Sequence, residues 1–160
     1  MIRIHHTNQE VIRVPFPYPK LYRQKLGYKP NGLWYGINWE WEEWCKSEMP
    51  KWLHKKHFSL EIDMNKILLL DSTEKIMDFQ KEFGEMPDWM NDGLKRIKNH
   101  EYINWEKVAE KYSGIEISPY QYSLRFKLMW YYGWDIASGC IFNLSCIKSI
   151  NLITEKEKIK

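Results

Sequence analysis

Residues 57–72 read HFSLEIDMNKILLLDS. Phe58, Leu60 and Ile62 recur at every second position with polar residues between them, the period of a strand that lays one face on a core. Met64 and Asn65 mark a turn, and KILLLD continues as the uninterrupted apolar run of a buried strand. Asp71, Ser72, Thr73 and Glu74 then open a helix with the pattern of a capping box. Ile76, Phe79 and Phe83 form its inward stripe. Strand, strand and helix follow one another closely here, and the fold has to accommodate that order.

Upstream, MIRIHHT alternates as a short strand, with Ile2 and Ile4 on one side and Arg3 and His5 on the other. Only one of His5 and His6 then faces any given pocket. Pro15, Pro17 and Pro19 in PFPYPKLY forbid regular helix or central strand, which leaves an extended loop. KPNG (29–32) is a turn signal, and GLWYGI leaves it as a second short strand. Asn38 is placed to cap a helix running to about Met49, stopped by Pro50. Downstream, PDWMNDGLKRIKN (87–99) reads as a polar loop or short helix. Asn104 caps a helix with Trp105, Val108, Ala109 and Tyr112 on one face, and Gly114 ends it. GIEIS is a brief strand, and SLRFKLMWYY (123–132) fits a strand or a helix. SGCIFN and CIKSINLI supply the last strands. Strands and helices do not alternate regularly. The fold class is therefore α+β, a split or strongly bent mixed sheet with flanking helices, as one domain over 1–155 with a charged tail at 156–160.

The composition narrows the function. Net charge is +3, from 24 basic and 21 acidic side chains that are interleaved, too weak an excess to argue for nucleic acid by itself. Three cysteines, Cys45, Cys140 and Cys146, lack metal spacing and an even count, so free buried thiols in a reducing, cytoplasmic setting are expected (the host cytoplasm if the chain is phage-like). No apolar run reaches the ~18 residues of a membrane span, and no signal peptide is read. The sequence has no Walker loop, GxGxxG, HExxH, CxxC or GxSxG. His54 and His57 have the spacing of a weak metal pair, but no acid or cysteine is arranged around them, so no metal is expected.

Residues 32–45, GLWYGINWEWEEWC, hold four tryptophans and a tyrosine in a chain that is already 16% aromatic. Leu and Ile fill cores without an N–H to satisfy, so such a stretch suits either an unusually aromatic core or a platform that stacks on a planar ligand. Three segments resemble the ADP-ribosyltransferase fold, in its diphtheria-toxin and poly(ADP-ribose)-polymerase branch. The first strand ends HHT, like the family's first NAD-contacting strand. GLWYG after a turn, followed by a helix, is similar to its Gly-aromatic-aromatic-small strand. GCIFN with CIKSI is similar to its late strand pair, and FSLEIDMNKILLLD resembles the hairpin that follows its first helix.

The resemblance implies NAD as substrate. His6 would donate to the adenosine-side ribose, and Thr7 would present backbone groups to the carboxamide. Trp34, or Tyr35 beside it, would pack on the nicotinamide, and Trp41 and Trp44 would complete the stack. Arg125 would contact a phosphate. The family's catalytic glutamate falls on Ser138 here, which leaves Asp135 as the acid candidate and Asp135 with Tyr35 as the catalytic pair. Asp135 also stands out from its own surroundings, between Trp134 and the small residues ASG, where a buried acid needs a partner. Cleaving nicotinamide from NAD requires a ring held flat and negative charge near the developing ribosyl cation, which rings and one carboxylate provide. The expected function is an NAD-dependent ADP-ribosyltransferase, or an NAD-hydrolysing relative, acting on a protein or nucleic-acid acceptor. A nucleotide-binding module without chemistry, or an inhibitor protein acting through its aromatic surface, is the alternative.

Overall fold

The computed structural model describes residues 1–12, 21–87 and 101–154. In chain order the elements are β1 (Arg3–Thr7), β2 (Leu26–Gly27), β3 (Leu33–Ile37), α1 (Glu40–Glu48), β4 (Lys56–Ile62), β5 (Ile67–Leu70), α2 (Thr73–Phe83), β6 (Gly84–Glu85), β7 (Tyr102–Asn104), α3 (Trp105–Lys111), β8 (Gly114–Ile117), β9 (Ser138–Ile141) and β10 (Ile147–Leu152). Seven strands form one curled, half-barrel sheet in the order β10-β4-β1-β3-β9-β8-β5. Only the β5–β8 pair is parallel. The mixed, strongly bent sheet of an α+β protein is the architecture expected from the sequence. A second sheet, β2-β7-β6, was not anticipated, because strands of two or three residues have no readable period.

Several elements form for the expected reasons. Ser72 accepts a hydrogen bond from the Lys75 amide and caps α2, which buries Ile76, Phe79 and Phe83. Asn104 caps α3 through the Lys107 amide, and Trp105 and Val108 go into the core. Phe58, Leu60 and Ile62 on β4 are buried as their alternation requires.

Other expectations are corrected. β4 and β5 do not pair as a hairpin: β4 lies between β10 and β1, while β5 is the far edge, parallel to β8. The link between them is a 3-10 turn, Met64–Lys66, held by the Asp63 amide on the Cys146 carbonyl and the Ser113 amide on the Lys66 carbonyl. These bonds anchor the turn to the segments before β10 and β8, and the chain passes from β4 to the far edge strand instead of back along β4. Asn38 does not cap α1. Its φ of 51° turns the chain after β3, its Oδ1 accepts from the Ile2 amide, and its own amide donates to the Ile2 carbonyl. Gly114 begins β8 rather than ending α3, which stops at Lys111 with Tyr112 as its C-cap. Glycine is needed there for close packing, since a Cβ would lie 2.7 Å from the Cys140 carbonyl oxygen. SLRFKLMWYY is neither strand nor long helix, but two 3-10 turns, Tyr122–Leu124 and Tyr131–Gly133, joined by irregular chain. The expectations for most of PFPYPKLY, most of 87–99 and the 156–160 tail lie outside the described residues.

One side of the sheet carries the main core. Phe79, Phe83, Trp105, Trp130 and Phe142 interlock there, with ring centroids about 5–6 Å apart. The Trp105 indole donates to the Gly27 carbonyl and the Trp130 indole to Gln80 Oε1, so both buried N–H groups are satisfied. No helix among the described residues is long and apolar enough to cross a membrane.

Candidate functional site

The site begins with a break in the ladder. β1 and β3 pair only at Arg3–Ile37 and Ile4–Gly36. Beyond that point β1 follows β4 through Thr7, and β3 follows β9 back to Leu33. A backbone carbonyl left over at such a break needs a donor. His5 supplies it: its Nδ1 lies 2.7 Å from the Trp34 carbonyl oxygen, which requires the proton on Nδ1. This explains why both His5 and His6 line the same cleft, although alternation allowed only one. The strand is no longer covered by its neighbour on that edge, so rings from both of its faces reach the opening.

A cavity of about 330 Å³ lies at this break. β1 contributes His5 and His6, and β3 contributes Trp34, Tyr35 and Gly36. Trp41 of α1, with Trp52 and His54 after it, forms one wall, and the segment from Gly133 to Ser138 forms another. The wall from α1 is a ring stack. Trp41 and Trp44, three residues apart on one helical face, have centroids 5.2 Å apart and planes 19° apart. Trp52 lies 6.3 Å from Trp41 at 25°, and half of its surface is exposed. Gly36 opens the space between these walls, since a Cβ there would stand 3.1 Å from Trp41 Cβ. On the other side Trp34 leans on Trp134 at 4.9 Å, and Lys29 Nζ lies 5.3 Å from the Trp34 ring centroid.

Behind Tyr35 is a buried carboxylate that sequence reading passed over as part of a brief strand. Glu116 on β8 is 0% exposed. Arg3 grips it with Nε at 2.6 Å and Nη2 at 3.1 Å, and the Tyr35 hydroxyl donates to it at 2.9 Å. Burial pushes the Tyr35 hydroxyl well above its ordinary pKa, and the carboxylate beside it adds to the shift. Gly139 makes the arrangement fit, because a Cβ there would meet Tyr35 Cζ and Oη at 2.3 Å. The Tyr35 ring therefore belongs to the cleft and its hydroxyl to a buried charge network with Glu116 and Arg3.

Of the candidates named from sequence, His6, Trp34, Tyr35, Trp41 and Asp135 converge on the cleft. Trp44 backs Trp41 without lining the cavity, and Thr7 is buried at the end of β1, its hydroxyl accepting from the Gln9 amide. Arg125 is bound to Asp135, Nη2 to Oδ1 at 2.8 Å, so the cation on the cleft wall is Lys29. Ser138 stands at the start of β9, its hydroxyl turned to the Ile136 carbonyl.

Burial lowers the pKa of His5, and it lowers that of His6 to about 3, with the neighbouring His57 contributing; both rings are neutral near pH 7. Three buried polar atoms on the cleft's own residues find no hydrogen-bond partner among the described residues: His6 Nε2, His54 Nδ1 and Trp134 Nε1. Each such atom costs roughly 1–3 kcal/mol if it stays unsatisfied. Their convergence on one opening marks it as a place where a polar, ring-bearing molecule fits. No protein-family model matches the chain, and no curated protein or solved structure proved similar to it.

Proposed function

We propose that the cleft binds NAD and that the protein is an ADP-ribosyltransferase, or an NAD-hydrolysing relative, acting on a macromolecular acceptor. The observation that carries this reading is the meeting of Trp34, Tyr35, Trp41, His6 and Asp135 around one opening, from segments far apart in the sequence. The nicotinamide ring lies against the aromatic walls, where a flat face finds about 1–3 kcal/mol of stacking. His6 Nε2 and Trp134 Nε1, both without a hydrogen-bond partner among the described residues, meet the polar atoms of the carboxamide or ribose. Lys29 offers positive charge to the pyrophosphate at the rim.

The chemistry asks little covalent help of the protein. The glycosidic bond breaks with its electron pair going to the nicotinamide nitrogen, and the ribosyl carbon becomes cation-like before the acceptor oxygen or nitrogen attacks it. A fixed carboxylate at that carbon stabilises the charge as it develops. Asp135 is the acid on the cleft wall, and its bond to Arg125 fixes its orientation. Incubation with NAD should release nicotinamide, and Asp135→Asn should lower that release by about 100-fold, the scale of one lost electrostatic contact in a transition state. Release at background, with tryptophan fluorescence unchanged by NAD, would remove this reading.

A second reading has its own observation. Ser138, which the resemblance matches to the family's acid, carries no carboxylate and spends its hydroxyl on a backbone carbonyl. A cleft that binds a nucleotide without turning it over predicts fluorescence quenching by NAD or ADP-ribose with no nicotinamide released.

A further inference from the structure

We propose that His6, His57 and Glu42 form a binding site for one divalent first-row transition ion, zinc or ferrous iron in class, beside the cleft. The three residues come from β1, β4 and α1, so no spacing in the sequence announces them; His54, which spacing pairs with His57, is not one of the three and lines the cleft. One ligand atom from each of His6, His57 and Glu42 lies within 4.8 Å of the other two. His6 Nδ1 and His57 Nδ1 face each other at 2.9 Å, and His57 Nε2 lies 3.5 Å from Glu42 Oε2. Ligand atoms about 2.0–2.2 Å from a shared ion sit roughly 3 Å from each other. The two short separations use opposite nitrogens of His57, so one ion takes either nitrogen and the third ligand closes in from at most 4.8 Å by a side-chain rotation.

Two imidazoles and a carboxylate are a borderline donor set, suited to zinc or iron and not to calcium or magnesium, which take oxygen. Their setting agrees. His57 is buried, and Trp39 stands edge-on to both imidazoles, with centroids 6.2 Å from His6 and 5.2 Å from His57. Lys46 holds the other carboxylate oxygen of Glu42 at 2.8 Å, which fixes the side chain from its exposed side. Metal on His6 Nδ1 would place the ring proton on Nε2, the nitrogen that lacks a hydrogen-bond partner among the described residues, on a ring that lines the cleft. The ion would thereby fix the tautomer His6 presents to a ligand. This inference does not depend on NAD being that ligand.

The test uses the full-length protein, stripped with a chelator and dialysed against zinc or cobalt(II). One metal per chain is expected, with cobalt giving the visible absorption of a low-coordinate nitrogen and oxygen site. Glu42→Gln and His57→Gln should each weaken binding by more than the 10–100-fold that loss of an outer-shell partner costs. His54→Gln should leave binding unchanged. Pulsed electron paramagnetic resonance of the copper(II)-loaded wild-type protein counts coordinated imidazoles without any variant, and two are expected. Substoichiometric metal, a count of one or none, or a loss that follows His54→Gln instead would overturn the site. Nicotinamide release is not part of this readout, so either proposal can fail alone.

Discussion

At Tyr35, the side chain that lines the cleft also closes a buried charge network, so its two ends are separately testable. The hydroxyl is held protonated by burial and by Glu116. A tyrosine whose folded pKa lies above the ordinary value near 10 gives stability that is complete below pH 10. That stability is lost as pH rises from 10 toward the folded value, because only the unfolded chain releases the proton easily. Denaturation midpoints should therefore fall above pH 10, by up to about 1.4 kcal/mol per pH unit for this group. Tyr35→Phe should flatten that alkaline slope while lowering stability at pH 7 by about 1–3 kcal/mol, since Glu116 loses a donor in a fully buried place. Gly139→Ala probes the same network from the opposite side. The new methyl meets the Tyr35 ring and, at 2.8 Å, the Ile115 carbonyl oxygen, which is backbone and cannot move aside cheaply. A loss of about 1–3 kcal/mol in chemical denaturation is expected; an unchanged midpoint would mean that Tyr35 has another place to go.

At the scale of elements, Asn38 decides how β3 turns into α1, and it does so from a left-handed backbone. Asn38→Ala should cost about 1–2 kcal/mol for the conformation, and it removes the bond to the Ile2 amide as well. Asn38→Gly should recover the conformational part and not the bond. Hydrogen exchange at the Ile2 amide separates the two effects, because it should speed up in both variants. Asn38 also shows what the sequence made legible. Asparagine before an amphipathic run reads as a cap, since its side chain is chemically able to serve, and nothing local reveals that β1 will offer it a better partner. Asn104 is legible as a cap because its partner lies three residues away. DSTE marks a helix start, although the cap is Ser72 with Lys75 three residues on, so the reciprocal acid of a capping box is missing. β4 and β5 were each legible as strands, but their pairing was not. A run such as ILLL states that a strand is buried and leaves open whether its neighbour is nearby or, as with β8, reached after two helices.

For the whole molecule, the tryptophans divide between two jobs, and composition could not say which took which. Trp105 and Trp130 are sealed in the core and Trp134 is buried but lines the cleft, whereas Trp34, Trp41 and Trp44 are half-buried and Trp52 is exposed. Residue type and local pattern marked His6, Trp34 and Asp135 as chemically capable, but their meeting depends on the opening between β1 and β3, a property of the curled sheet. Lys29 and Trp52 carried no signal, and His54 signalled only a weak metal pair, because these residues join the cleft through turns and short connections with no readable period. A cleft assembled from separate stretches of chain, between His5 and Ser138, couples ligand binding to global stability. A ligand at 100 times its dissociation constant should raise the unfolding free energy by about 2.7 kcal/mol. NAD should accordingly raise the melting temperature of the wild-type protein. ADP-ribose should do so less, because it lacks the ring for the walls of Trp34 and Trp41. Trp34→Ala and Trp41→Ala should abolish most of the difference between the two ligands, while Trp44→Ala, one layer behind, should reduce it only in part. If NAD and ADP-ribose shift the melting temperature equally in all four proteins, the rings are not where the nicotinamide sits.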